Sequence, residues 1–211
     1  MFVSINPERE VRDVVVIGAS AGGIRAVTEL LSALPPDLPA YIGVVIHRGA
    51  HSGGDWGKTL TTRTLLPVVE ATGGERMVRG VVYLAPADCH LTFEKDHVCL
   101  DRGPKEHHTR PAVDPLFESA ALEYGRRVVA IVLTGGGHDG MQGLRAVSSA
   151  GGITLVQKPS EAANASMPEW SIEHDHVRAS LTIQQIAEAV VLLAKGDAVP
   201  IREADIMPAT P

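Results

Sequence analysis

Four consecutive apolar residues, Val14 to Ile17, run straight into Gly-Ala-Ser-Ala-Gly-Gly, and apolar positions then recur at Ile24, Val27, Leu30, Leu31 and Leu34. An unbroken β-branched run suits a strand buried on both faces, and 3–4 spacing suits a helix with one apolar stripe. Pro35-Pro36 stops the helix, and a second apolar run, Ile42 to Ile46, ends at His47. This is a β-α-β unit, whose two strands lie parallel in one sheet. Few architectures accept such a unit, and all of them cover a parallel sheet with helices.

The rest of the chain continues the alternation. Further strands are predicted at residues 67–71, 81–85, 128–133 and 153–157, with a β-hairpin where 90–94 and 98–101 flank Lys95-Asp96-His97. Helices are predicted at 59–66, from Asp114-Pro115 to Tyr124 with Asp114 as the N-cap, from Met141 to Ala150, at Met167-Pro168, and from Ile183 to Lys195. Thr182 and Gln185 have the spacing of a capping box for the last of these. One α/β domain over 11–196 accounts for the pattern, preceded by a leader (1–10) and followed by a mobile tail (197–211).

Composition removes several classes of function. A formal net charge of −6 gives no support to nucleic-acid binding and argues against an anionic membrane surface. No apolar run approaches the roughly 18 residues that a membrane span needs, and MFVSINPERE has no signal-peptide character. The two cysteines, Cys89 and Cys99, read as free thiols in a reducing compartment, so the expected location is the cytoplasm.

The glycine-rich turn after the first strand either cradles a phosphate or raises a nucleophile. A dinucleotide fingerprint needs a second glycine where Ser20 stands, and an acid where His47 closes the second strand. Gly18-Ala19-Ser20-Ala21-Gly22 does match G-x-S-x-G between a strand and a helix, although a serine there also serves as a helix cap. Ser20 follows the first strand, His47 the second, and Asp139 the strongly apolar strand at 128–133. A parallel sheet gathers such strand-end residues along its C-terminal edge. A serine needs a base, and the base needs an acid to hold its tautomer. The bland alternatives are a histidine closing a strand end and an Asp-Gly turn. The order Ser, His, Asp differs from that of α/β-hydrolases. Amides near Gly136 or Gly137, with that of Ala21, are candidate oxyanion donors, each typically worth about 3 kcal/mol in the transition state.

IGASAGG, the strand-end His47, VYLAPADCHLTF, RPAVDPLFESAA, IVLTGGGHDGMQGLRAV and the Gln157…Met167-Pro168 segment occur in this order. Together they resemble the catalytic domain of CheB-type chemotaxis protein-glutamate methylesterases, over roughly residues 11–195. The resemblance implies a doubly wound α/β sheet with its site at the C-terminal edge. It implies Ser20 as nucleophile, His47 as general base and Asp139 as orienting acid. The implied reaction is hydrolysis of glutamate methyl esters on chemoreceptor helices, with deamidation of certain glutamines as a second activity. No metal or organic cofactor is implied. The family's receiver domain has no counterpart here, so the expectation is a stand-alone enzyme, served by a separate response-regulator receiver, or a piece of a longer chain.

Three features depart from or extend that pattern. Gly136 replaces the methionine of the family's T-G-M-G loop, and the loop from Arg48 to Trp56, expected to rim the site, lacks the usual proline. Arg110, in R-P-x-V-D, is the candidate for substrate binding or for holding the site loop. The nine histidines include His107-His108 and His174-x-His176, but neither pair has helical i, i+4 metal-ligand spacing. The altered loops leave two rival readings: an adaptor that keeps the fold without the chemistry, or an esterase for another protein or a small ester.

Overall fold

The computed structural model describes residues 1–49, 55–174 and 176–207. Its elements run β1 (Phe2–Ser4), β2 (Val14–Ala19), α1 (Gly23–Ser32), β3 (Tyr41–Ile46), α2 (Trp56–Thr61), β4 (Val68–Glu70) and β5 (Val82–Leu84). The hairpin strands β6 (His90–Glu94) and β7 (His97–Asp101) follow, then α3 (Val113–Tyr124), β8 (Val128–Val132), α4 (Met141–Ser149) and β9 (Ile153–Gln157). The chain closes with α5 (Ser166–His174), β10 (Ala179–Leu181), α6 (Ile183–Ala194) and β11 (Pro200–Arg202).

Seven strands form one parallel sheet in the order β10-β9-β8-β2-β3-β5-β4. From β2 the chain winds outward through β3 to one edge. It then returns to β8 on the other side of β2 and winds outward again. Strand residues alternate between the two faces, as the period of two requires. Val15, Ile17, Ile42, Val44, Val129 and Ile131 join α1 and α6 in one core. Val14, Val16, Val45, Val128 and Ala130 join α3, α4 and the hairpin in the other. The fold is thus a doubly wound three-layer α/β sandwich, with β6 and β7 pairing antiparallel as a separate ribbon.

The layer of α3 on α4 depends on a missing side chain. A Cβ at Gly143 would lie 2.4 Å from Phe117 Cβ, an atom fixed to the α3 backbone that no rotamer can move aside. Gly143→Ala is therefore expected to destabilise the fold by about 2 kcal/mol or more, read as a lower urea midpoint with unchanged slope.

Four elements differ from the sequence expectation. Residues 200–207 are not a free tail: β11 pairs antiparallel with β1, and Val199 and Ile201 are buried in the core beside Ile5. Lys158 adds an ion pair to Asp205 at 2.7 Å. The leader and tail each lack a strand-length apolar pattern, so only their pairing defines them. Strand β10 is three residues long and was invisible for the same reason. Helix α2 starts earlier than predicted, because Asp55 caps it by accepting the Lys58 amide at 2.8 Å. The capping box on α6 forms as its spacing predicts.

Candidate active site

The winding of the sheet reverses at β2 and β8, where loops leaving adjacent strands diverge to opposite faces and open a crevice. Ser20 sits at that point. Its amide donates to Thr134 O (3.0 Å) in the loop after β8, and its carbonyl accepts from Gly23 N (2.8 Å), so the chain bends sharply into α1. The N-cap of α1 is Gly22 and no side chain caps it, so the Ser20 hydroxyl is not spent as a helix cap.

His47 follows β3, and its amide donates to Ala19 O at 2.9 Å. Since Ala19 pairs with Ile46, Ser20 and His47 occupy the next rung of two neighbouring parallel strands. Neighbouring strands lie about 4.8 Å apart. The ring Nε2 of His47 is 2.5 Å from Asp139 Oδ2. Its Nδ1 is therefore the nitrogen left to a hydroxyl.

Asp139 is buried between β8 and α4 and holds more than the histidine. Its Oδ2 accepts from Val113 N (2.6 Å) and its Oδ1 from Asp114 N (3.0 Å). These are among the first amides of α3, which lack partners within the helix. Asp139 is therefore the cap of α3, supplied from a distant part of the chain. Asp114, expected as that cap, lies inside the first turn instead, with Ala112 at the N-cap position. Its buried carboxylate accepts from Gly143 N at 2.7 Å and from His107 Nε2 at 3.0 Å.

Burial pushes the Asp139 carboxyl upward, but the His47 hydrogen bond and charge, with the amides of Val113 and Asp114, outweigh it and hold the group below its ordinary range. Asp114 goes the other way. Burial raises it and the neighbouring Asp139 charge adds to this, against the opposing pull of Gly143 N and His107.

The loop after β8 is bound tightly at its root. Thr134 N donates to Gln157 Oε1 (2.8 Å), Gly135 N to Asn164 O (3.0 Å), and Met167 N to Gly135 O (2.9 Å). A Cβ at Gly135 would lie 2.6 Å from Met167 Sδ and 2.8 Å from Ser20 Cβ, so only glycine lets this loop close on the serine. Among the described residues, no hydrogen bond engages the amides of Ala21, Gly136 or Gly137. A Cβ at Gly136 would meet only Asn164 Nδ2, at 3.4 Å, so that position has room for a side chain.

Beside His47 lies a cleft of about 230 Å³ lined by Arg48, Asp88, Lys105, His108 and Arg110. Arg110 spends its donors there on Asp88 Oδ1 (2.8 and 3.1 Å) and on the carbonyls of Arg102 and Gly103, which fixes the loop ahead of α3. Of the loop from Arg48 to Trp56, residues 50–54 lie outside the described residues. Arg48 itself pairs with Glu70 and lies over the Trp56 ring at 5.2 Å.

Sequence reasoning named Ser20, His47 and Asp139 but assigned no role to Gly135, Gln157, Asn164 or His107. The glycine run and the Gln157…Met167 segment were visible. That they lock onto each other was not.

The CheB methylesterase family model matches residues 15–190, a span that contains Ser20, His47 and Asp139. A Leptospira interrogans protein, provisionally named protein-glutamate methylesterase/protein-glutamine glutaminase, is 37% identical over 182 residues, covering 86% of this chain and 94% of that protein. An Anaeromyxobacter dehalogenans protein, named protein-glutamate methylesterase/protein-glutamine glutaminase 2, is 40% identical over 185 residues. That match covers 87% of this chain but 54% of the relative, so the chain spans about half of that longer protein. The solved catalytic domain of Thermotoga maritima CheB methylesterase matches with a TM-score of 0.81 and 33% identity, over 86% of this chain and 98% of that one. With the family model, the sequence identities and the solved fold all agreeing over most of its length, the chain belongs to the CheB methylesterase family.

Proposed function

We propose that the protein is a serine hydrolase that removes methyl esters from glutamate side chains of chemoreceptor proteins and also deamidates glutamines on them. The observation that carries this reading is the His47–Asp139 pair at 2.5 Å, with Ser20 on the rung beside His47. Ser20 Oγ attacks the ester carbonyl while His47 Nδ1 takes its proton, and Asp139 stabilises the imidazolium that forms. The amides of Ala21 and of Gly136 or Gly137 receive the oxyanion. The tetrahedral intermediate collapses, methanol leaves with the proton from His47, and an acyl-enzyme remains. Water, deprotonated by His47, then releases the glutamate and restores Ser20. For a glutamine the leaving group is ammonia.

The substrate is a side chain on another protein's cytoplasmic helix, so the crevice has to be open, and short loops suit that. Among the described residues no helix is long and apolar enough to cross a membrane; the proposed site of action is the cytoplasm, on the receptor's inner portion. A separate receiver domain is the proposed regulator.

The test is methanol release from methylated chemoreceptor and ammonia release from its unmodified glutamines. Methanol equal to the ester hydrolysed is the expected result. A folded protein that releases neither, and that also leaves N-acetylglutamate γ-methyl ester intact, is an adaptor rather than an enzyme.

A further inference from the structure

Two buried carboxylates, not one, lie beneath the crevice. Atoms of Asp139, Asp114 and His107 come within 4.8 Å of one another. The two acids cross-link two helices reciprocally. Asp139, which precedes α4, accepts the Val113 and Asp114 amides at the start of α3. Asp114, within α3, accepts the Gly143 amide in the first turn of α4. Each acid also holds a histidine, Asp139 holding His47 at 2.5 Å and Asp114 holding His107 at 3.0 Å.

The helix contacts alone do not require His107. It comes from the loop ahead of α3, its side chain is 24% exposed, and its ring meets the His138 ring edge-on at 4.8 Å. What it does require is explained by charge. Two like charges this close in a buried site cannot both ionise freely unless each has a partner of opposite sign or a proton. His47 serves Asp139 in this way, and His107 stands in the equivalent place for Asp114.

We propose that His107 and Asp114 are positioning residues: His107 offsets the charge of Asp114, and the pair thereby sets the charge and orientation that Asp139 presents to His47. The consequence for catalysis rests on His47 being the base, as proposed above; the electrostatic linkage does not. Burial and Asp139 hold the Asp114 carboxyl above its ordinary value, which makes its ionisation sensitive to its partner. The other groups facing the pair are Glu106 beside His107, His138 next to Asp139, and Glu118 one turn along α3. The Glu118 carboxyl is itself raised by burial first and then by Asp114, Glu106 and Asp139.

The experiment follows the His47 imidazole by NMR as pH is varied, in the full chain and in Asp114→Asn and His107→Ala. Removing the Asp114 charge leaves the His47 imidazolium less stabilised, so its titration midpoint is expected to fall by about half a pH unit. Removing His107 leaves the buried Asp114 without a partner of opposite sign, so Asp114 takes up a proton and the His47 midpoint is expected to fall as well. The acid limb of kcat/KM on a small glutamate methyl ester should move with it in each variant. A shift of the opposite sign, or none beyond about 0.1 unit, overturns the proposal. Should Asp114→Asn fail to fold, His107→Ala decides alone, since His107 sits in a surface loop. The titration needs no turnover, so an inactive protein would sink the esterase reading and leave this one to be judged on its own.

Discussion

Ser20→Ala is expected to lower kcat/KM for methanol release by a factor of about 10⁴ or more, leaving a folded protein. On the proposed mechanism the loss is large because the alanine removes the atom that would form the acyl bond, and neither His47 nor the amides of the glycine loop replaces it. Stability should scarcely change. The serine hydroxyl caps nothing in α1, whose first turn relies on Gly22, and the turn is held by backbone contacts to Thr134 and Gly23 that alanine keeps. Parallel measurements of methanol release and thermal unfolding check both halves. A variant with wild-type release would remove Ser20 as the nucleophile, and one that unfolds early would show that the hydroxyl also supports the fold.

Asp139→Ala is expected to cost both activity and stability, which sets it apart from Ser20→Ala. On the proposed mechanism Asp139 orients His47 as the base, and loss of such an acid typically lowers activity by about 10³- to 10⁴-fold. The same substitution strips the cap from α3 and leaves the amides of Val113 and Asp114 buried without their acceptor. A lost cap costs about 1–2 kcal/mol and an orphaned buried donor about 1–3, so the expected destabilisation is about 2–5 kcal/mol. The pH dependence has a definite sign. Asp139 is held below its ordinary value in the folded protein, so its contribution is full above the unfolded value, about 4, and is lost as pH falls through the folded one. The stability gap between wild type and variant should therefore narrow from pH 7 to pH 3 in urea unfolding. Asp139→Asn separates the two roles: its amide oxygen still accepts from α3, so it should recover part of the stability and none of the activity. Equal stability of wild type and Asp139→Ala at pH 7 would contradict the capping role.

These two substitutions also mark how far the sequence could be read. The β2-α1-β3 unit, the parallel sheet and the G-x-S-x-G turn were legible because each rests on local pattern: a β-branched run, a 3.6 period, small residues at a bend. His47 and Asp139 were legible as strand-end residues, since parallel strands bring their C-terminal ends to one edge. Arg110 was legible as a candidate, but its engagement with Asp88 and two carbonyls depends on where the 102–109 loop folds back. The capping of α3 was misread for the same kind of reason. Asp114 carries a strong local N-cap signal, yet the acceptor that serves those amides comes from Asp139, 25 residues further on.

What the sequence determined alone is the set of elements and the edge at which their polar residues collect, because propensity, periodicity and turn chemistry act over a few neighbours. The tertiary structure decided which polar groups pair. Whether β11 is a tail or a strand depends on β1 being there to receive its backbone hydrogen bonds. Whether Asp139 only orients a histidine or also holds a helix depends on α3 arriving with unsatisfied amides. A buried carboxylate takes whichever donors packing brings within about 3 Å. That is a property of the assembled core, and no local stretch of sequence carries it.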